Sequence, residues 1–187
     1  MPTPIDATPG GADSNSFMLE SEVDTYLDDR LNAEAWNAET DGDRKIRAMI
    51  EATREITRLS FIGKRTDDIQ ELSWPRFEAE NPDLPDSDDG LGAITFFDED
   101  EIPQRVKNAE AELALEFLRA GTTDVAGTDE DRKIKISKVD VLMTEFFSPT
   151  PSDNPIGLNA FPRVIQELTP LLDDSVAGKG TLRILRV

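Results

Sequence analysis

The chain has 187 residues, with 20 Lys and Arg against 39 Asp and Glu, for a formal net charge of −19. It contains no cysteine and no histidine. A disulfide scaffold, thiolate metal ligation and thiol catalysis are therefore excluded, and the commonest general base is missing.

This length suits one domain with an appended arm and allows a real core. So acidic a chain repels phosphate backbones, whereas nucleic-acid binding is normally driven by Lys and Arg. The basic stretches are short: Lys64-Arg65, and Arg132-Lys133 with Lys135. No apolar run reaches the roughly 18 residues of a membrane-spanning helix. Met1-Pro2-Thr3-Pro4-Ile5-Asp6 lacks the basic start and apolar stretch of a secretory signal.

Residues 1–16 are rich in Pro, Gly, Ser, Thr and Asp, which reads as an extended arm without core contribution. Ser21-Glu22-Val23-Asp24 has the form of a capping box, and Val23, Tyr26, Leu27 and Leu31 follow at helical spacing, so a first helix is expected over 21–31. Ala33, Ala35, Trp36 and Ala38 suggest a second short helix with Trp36 as a core anchor. Thr40 and Asp43 resemble a second capping box, opening an amphipathic helix from Asp41 to Leu59. Gly63 is its expected stop. Thr66–Leu72 is expected to add one or two helical turns, and Trp74 before Pro75 an extended exit.

Residues 78–92 read as an acidic loop. Its Asp86, Asp88 and Asp89 lack the twelve-residue calcium pattern, so they read as solvated. Ile102-Pro103 opens a second long helix, whose buried stripe is Val106, Ala109, Leu113, Ala114, Phe117 and Leu118 and which Gly121 closes. Glu110, Glu112 and Glu116 read as its solvated face. Residues 121–132 form a polar linker. Beyond it, Ile134 and Ile136, then Val139, Val141 and Met143, alternate in opposite phases, which predicts a β segment over 133–146 with a bulge or tight hairpin at Ser137-Lys138. Ser148–Pro155 breaks any element. Phe161-Pro162 opens a last short helix over 162–172, and Thr181–Val187 is apolar and basic. The expected fold is mainly α: a bundle of about four helices over 17–121, then an extended arm over 122–187 holding the strand or hairpin and the short helix. No Gly-rich phosphate loop and no nucleophile elbow is present, so an enzyme is not expected.

Several segments together resemble a tailed-phage family of head-to-tail adaptor, or head-completion, proteins. They are Tyr26 through Trp36, Ile50-Glu51-Ala52-Thr53-Arg54 with Leu59, Gly63-Lys64-Arg65, and Gln70-Glu71-Leu72-Ser73-Trp74-Pro75-Arg76. Ile102-Pro103-Gln104-Arg105-Val106-Lys107, Glu112-Leu113-Ala114 and Phe161-Pro162 complete the set. Related sequences are often labelled DnaT-like single-stranded-DNA-binding proteins, a competing reading. The net acidity and the acidic insertion at 78–92 depart from the family pattern.

The resemblance implies a helical core assembling as a ring, typically of about twelve copies, beneath the phage portal. A tail component or second connector docks on the other side, and DNA passes through without specific binding. It implies a virion protein made in the host cytoplasm, with no cofactor, no metal and no membrane partner. Phe161, Ile165, Leu168, Leu182, Ile184 and Leu185 are the expected portal or neighbour contacts, with folding back on their own domain as the other reading. Trp36, Gln70, Trp74, Pro75 and Arg76 are expected to be structural, with Arg76 pairing a carboxylate inside or between subunits. The alternative is a single-stranded-DNA-binding or primosomal accessory protein, which needs a basic groove interleaved with aromatics.

Overall fold

The computed structural model describes residues 2–84, 95–121, 158 and 161–173, together with the backbone of 136–139 and 142–145. Its elements are α1 (Glu20–Asp28), α2 (Glu34–Asn37), α3 (Gly42–Thr57), β1 (Lys64–Arg65), β2 (Arg76–Phe77) and α4 (Gln104–Ala120). A hairpin of β3 (Ile136–Val139) and β4 (Leu142–Glu145) follows, then α5 (Pro162–Leu168) and a 3-10 turn at Thr169–Leu171. The described chain is thus mainly helical with small two-stranded pairings, as the sequence predicts.

The organising helix is α4. It packs against α1, α2, α3 and α5, and its buried residues run around the helix rather than along one stripe, adding Glu110, Ala111, Glu112 and Leu115 to the predicted face. A helix covered on all sides is a core helix. Pro103 stands just outside α4 at the N-cap position, where a missing N–H costs nothing. Gly121 ends the helix at φ +68, which glycine adopts without a Cβ penalty. α3 packs against α4, and its Ala48, Met49, Ile50, Ala52, Thr53 and Ile56 are buried.

The helix starts differ from those expected. α1 begins one residue early, with Leu19 at the N-cap position, and the Glu22 carboxylate accepts the Leu19 N–H at 2.7 Å. Glu22 thus supplies the returning half of a capping box without a Ser21 hydroxyl. α3 starts after Asp41 rather than on a Thr40 cap, and the Glu39 carboxylate accepts the Asp41 N–H at 3.0 Å. It ends at Thr57, so Gly63 is not its stop. Gly63 sits at φ +73 in the approach to the β1–β2 pair, where a Cβ would lie 2.6 Å from the Phe77 carbonyl oxygen and 2.9 Å from the Ala79 nitrogen. Thr66–Leu72 forms turns, with no helix, and the Trp74–Pro75 peptide is cis.

The N-terminal segment is not a free arm. Asn15 accepts the Asp6 N–H through its side-chain oxygen at 2.9 Å and donates to the Pro4 carbonyl at 2.8 Å. The Ser14 hydroxyl donates to Thr8 O, and the Gly11 carbonyl accepts the Glu71 N–H at 3.3 Å. Ser14 and Ser16 are buried and Ile5 packs against the core. Polar side chains close these turns by bonding backbone, which a compositional reading cannot see.

In the β3–β4 hairpin Val139 pairs with Leu142 and Ile136 with Glu145, so the strands part after Val139 and not at Ser137-Lys138. The Asp86, Asp88 and Asp89 cluster, the 122–132 linker and Ser148–Pro155 lie outside the described residues.

Candidate functional site

The Gln70–Arg76 motif builds a closed node. Gln70 is buried; its amide donates to Leu72 O at 2.8 Å and Pro75 O at 3.1 Å, while its oxygen accepts the Asp67 N–H at 3.1 Å. The side chain therefore stitches its own loop shut. Trp74 is fully buried between Phe61 and Phe97, edge-on to both with ring centroids 5.7 Å apart, the arrangement aromatic quadrupoles favour. Pro75 lies near Gly10 of the N-terminal segment, where an added Cβ would come within 3.9 Å of the proline ring.

Among the described residues the bonds of Arg76 run to main-chain carbonyls, and Asp173 is a carboxylate whose charge acts on it. Its guanidinium donates to four carbonyls: Ile62 at 2.6 Å, Gly63 at 2.7 Å, and Phe61 and Ser73 at 3.1 Å. Burial and the neighbouring Arg65 charge hold it below the usual guanidinium range, and the Asp173 charge opposes them. Five donors in a planar fork suit this clasp of the 61–63 turn. Lys64 faces Phe77, and Arg65 faces Arg76, across the short strand pair.

A second centre lies on α4. Glu110 is fully buried, within 2.5 Å of the Ser16 hydroxyl and accepting the Phe17 N–H at 2.9 Å. Ser16 Oγ is also 2.7 Å from Met18 O. One hydroxyl proton cannot serve both acceptors. The charged carboxylate takes the serine proton, whereas a protonated Glu110 can donate to Ser16 Oγ and leave the serine proton for Met18 O. Burial indeed pushes Glu110 up to about 7, against the pull of the Ser16 and Phe17 bonds.

Glu112, 3% exposed, takes the opposite course. Its carboxylate receives Arg30 in a two-pronged pair at 2.6 and 3.0 Å and the Tyr26 hydroxyl at 3.0 Å. Burial raises it, but Arg30 and Tyr26 together pull it below the usual range, while burial and the Glu112 charge push Tyr26 up to about 12. Glu110 and Glu112 are thus not the solvated face expected of them; Glu110 fastens the N-terminal segment, and Glu112 fastens α1. Glu116 is partly exposed and pairs with Arg119.

Trp36 is the core anchor its small neighbours predict: fully buried on α2, it donates Nε1–H to Asp24 of α1 at 2.7 Å. Lys45 of α3 stands 4.7 Å from the centre of its ring and 3.3 Å from the same carboxylate.

The expected neighbour contacts divide. Leu168 is fully buried in this chain's own core, and Phe161 and Ile165 are partly buried against it, with Phe161 edge-on to Phe117 of α4 at 6.3 Å. The reason is a return of the chain: Ile62 donates to Leu171 O at 3.0 Å and Asp173 to Ser60 O at 3.1 Å. Leu182, Ile184 and Leu185 lie outside the described residues.

Arg44, Arg47, Arg54, Arg58, Lys64, Arg105, Lys107 and Arg119 each stand against an Asp or Glu, as half-buried Arg30 and Lys45 do. Among the described residues most cations are therefore met by a carboxylate. No cluster of three or more Asp or Glu there is arranged to hold a metal ion, and no helix there is long and apolar enough to cross a membrane.

The family model described as "Putative DnaT-like ssDNA binding protein" matches residues 1–187. The chain belongs to this family. No curated protein and no solved structure matches it. Within this DnaT-like chain, the motifs that carry the sequence resemblance are spread over the fold: Tyr26–Trp36 runs from α1 into α2, Ile50–Arg54 lies on α3, Gln70–Arg76 forms the closed node, and Glu112–Ala114 lies on α4. They are the means by which the fold is fastened. Sequence reasoning missed the two buried glutamates, although Glu110 lies one turn after Val106 and one turn before Ala114 on the predicted buried stripe.

Proposed function

We propose that the chain is a structural virion protein, a head-to-tail adaptor. Copies assemble as a ring, expected at about twelve by the resemblance, with the portal protein on one side and a tail or second connector protein on the other. The reading needs no catalysis and no cofactor. DNA passes through without being gripped. The observation that supports it best is electrostatic: in a chain of net charge −19 the described cations mostly face carboxylates, so the described residues offer phosphate no continuous basic track. An acidic bore repels the duplex and lets it slide.

The second reading, a single-stranded-DNA-binding or primosomal accessory protein, is favoured by the description of the family. Exposed Phe77 beside Lys64, with exposed Phe96, is the feature that could stack bases. Filter binding of labelled single-stranded DNA at low salt separates the two. The adaptor reading expects no retention at micromolar protein. Tight, salt-sensitive retention that is lost in Phe77→Ala would establish the second reading instead.

A further inference from the structure

A groove of about 910 Å³ lies between the N-terminal segment and the approach to α4. Asp6, Asp13, Glu22, Asp100 and Glu101 line it, against the single cation Lys107. Lys107 is already engaged by Glu22 at 3.0 Å. Ile5 and Ile102 form part of the wall, together with Leu19, which is 49% exposed. The wall is preorganised, because Asp6 accepts the Thr8 N–H and Asn15 bridges Asp6 and Pro4. Such a surface suits a stretch of chain that is both apolar and cationic.

This chain carries one. Lys179–Val187 holds Lys179, Arg183 and Arg186, no acidic residue, and Leu182, Ile184, Leu185 and Val187 between and beside them. The other cationic stretch, Arg132–Val139, is less free to dock, because its Ile136–Val139 backbone is already paired with Leu142–Glu145. We propose that Lys179–Val187 of one copy docks in the acid-lined groove of a second copy. The arginines meet groove carboxylates, and the leucines and isoleucine meet Ile5, Leu19 and Ile102. Two different surfaces of each copy are then used, the heterologous contact from which rings are built. The choice of a second copy over the same chain rests on the adaptor reading.

The absence of cysteine gives a clean test. Full-length Glu101→Cys and Leu185→Cys variants, carrying different tags, are mixed and mildly oxidised. The expected result is a mixed disulfide several-fold above its share by random encounter. It should fall to that share in about 1 M salt, where screening is complete within a few ångströms, and when Arg183→Glu and Arg186→Glu are added to the Leu185→Cys chain. A random share at low salt overturns the contact. So does a predominantly intrachain disulfide in a dilute Glu101→Cys/Leu185→Cys chain, which assigns the groove to the chain's own segment. Preferential cross-linking of Ser137→Cys to Glu101→Cys assigns it to the hairpin. A portal-bound ring whose chains stay unlinked removes this contact but leaves the adaptor reading standing. Failure to bind portal removes the adaptor reading, and the disulfide yield then judges the groove alone.

Discussion

Glu110 shows how one side chain ties a segment of ambiguous composition to a helical core. Its carboxyl titrates at about 7 in the fold against an ordinary 4.5. Between those values the folded chain keeps a proton that the unfolded chain has released, so this group makes stability fall as pH rises from about 4.5 to 7. Glu112 and Glu22 are held low, so their contributions are lost only as pH falls below the usual carboxylate range. The two windows do not overlap. Glu110→Gln should therefore gain on the native chain by on the order of 2 kcal/mol between pH 4.5 and 7.5 in paired urea titrations. Parallel pH dependences in the two proteins would contradict a raised, buried carboxyl. The spacing of Glu110 from Val106 and Ala114 set it on the buried stripe, but the partners of neither glutamate were legible, because they lie far along the chain: Ser16 and Phe17 for one, Tyr26 and Arg30 for the other. Local periodicity carries no information about a contact of that range. Trp36 was legible because small alanines flank it and its anchoring needs only nearby helices.

At the scale of elements, the long helices could be read from spacing and their ends could not. The stripe through Val106, Ala109, Leu113 and Phe117 sufficed to place α4, and the amphipathic run from Ile46 to Ile56 placed α3. At the true starts Glu22 reaches back to the Leu19 N–H and Glu39 forward to the Asp41 N–H, a choice among several nearby acids that sequence leaves open. Gly63 was noticed for the wrong reason: the strand crowding it lies thirteen or more residues further on. Gly63→Ala should destabilise by about 2 kcal/mol or more, since it combines positive φ with a backbone clash. Thermal melting would check this; an unchanged midpoint would mean that the β1–β2 approach is not close. The short helix α5 follows from Phe161-Pro162, and of the two partners its apolar side allowed, the chain's own core takes Leu168. Leu168→Ala should cost roughly 2–4 kcal/mol in the isolated chain, as a buried cavity does. A variant as stable as the parent but deficient in assembly would instead return Leu168 to a neighbour contact.

For the molecule as a whole, the strongest signal was visible before any fold: the excess of carboxylates over cations. The structure adds that the described cations are mostly met within the chain, so the acidity is not relieved by a hidden basic face among those residues. Exposed pairs of this kind contribute little to stability. Their consequence is for partners, since a phosphate must compete with a carboxylate for each of them. The adaptor account makes assembly, rather than nucleic-acid affinity, the central property. Its most direct test is the solution mass of the purified chain, alone and then mixed with the portal protein. The account predicts a ring of many copies on the portal, whether or not the chain is a monomer by itself. A chain that stays monomeric, ignores the portal and binds single-stranded DNA instead would contradict it.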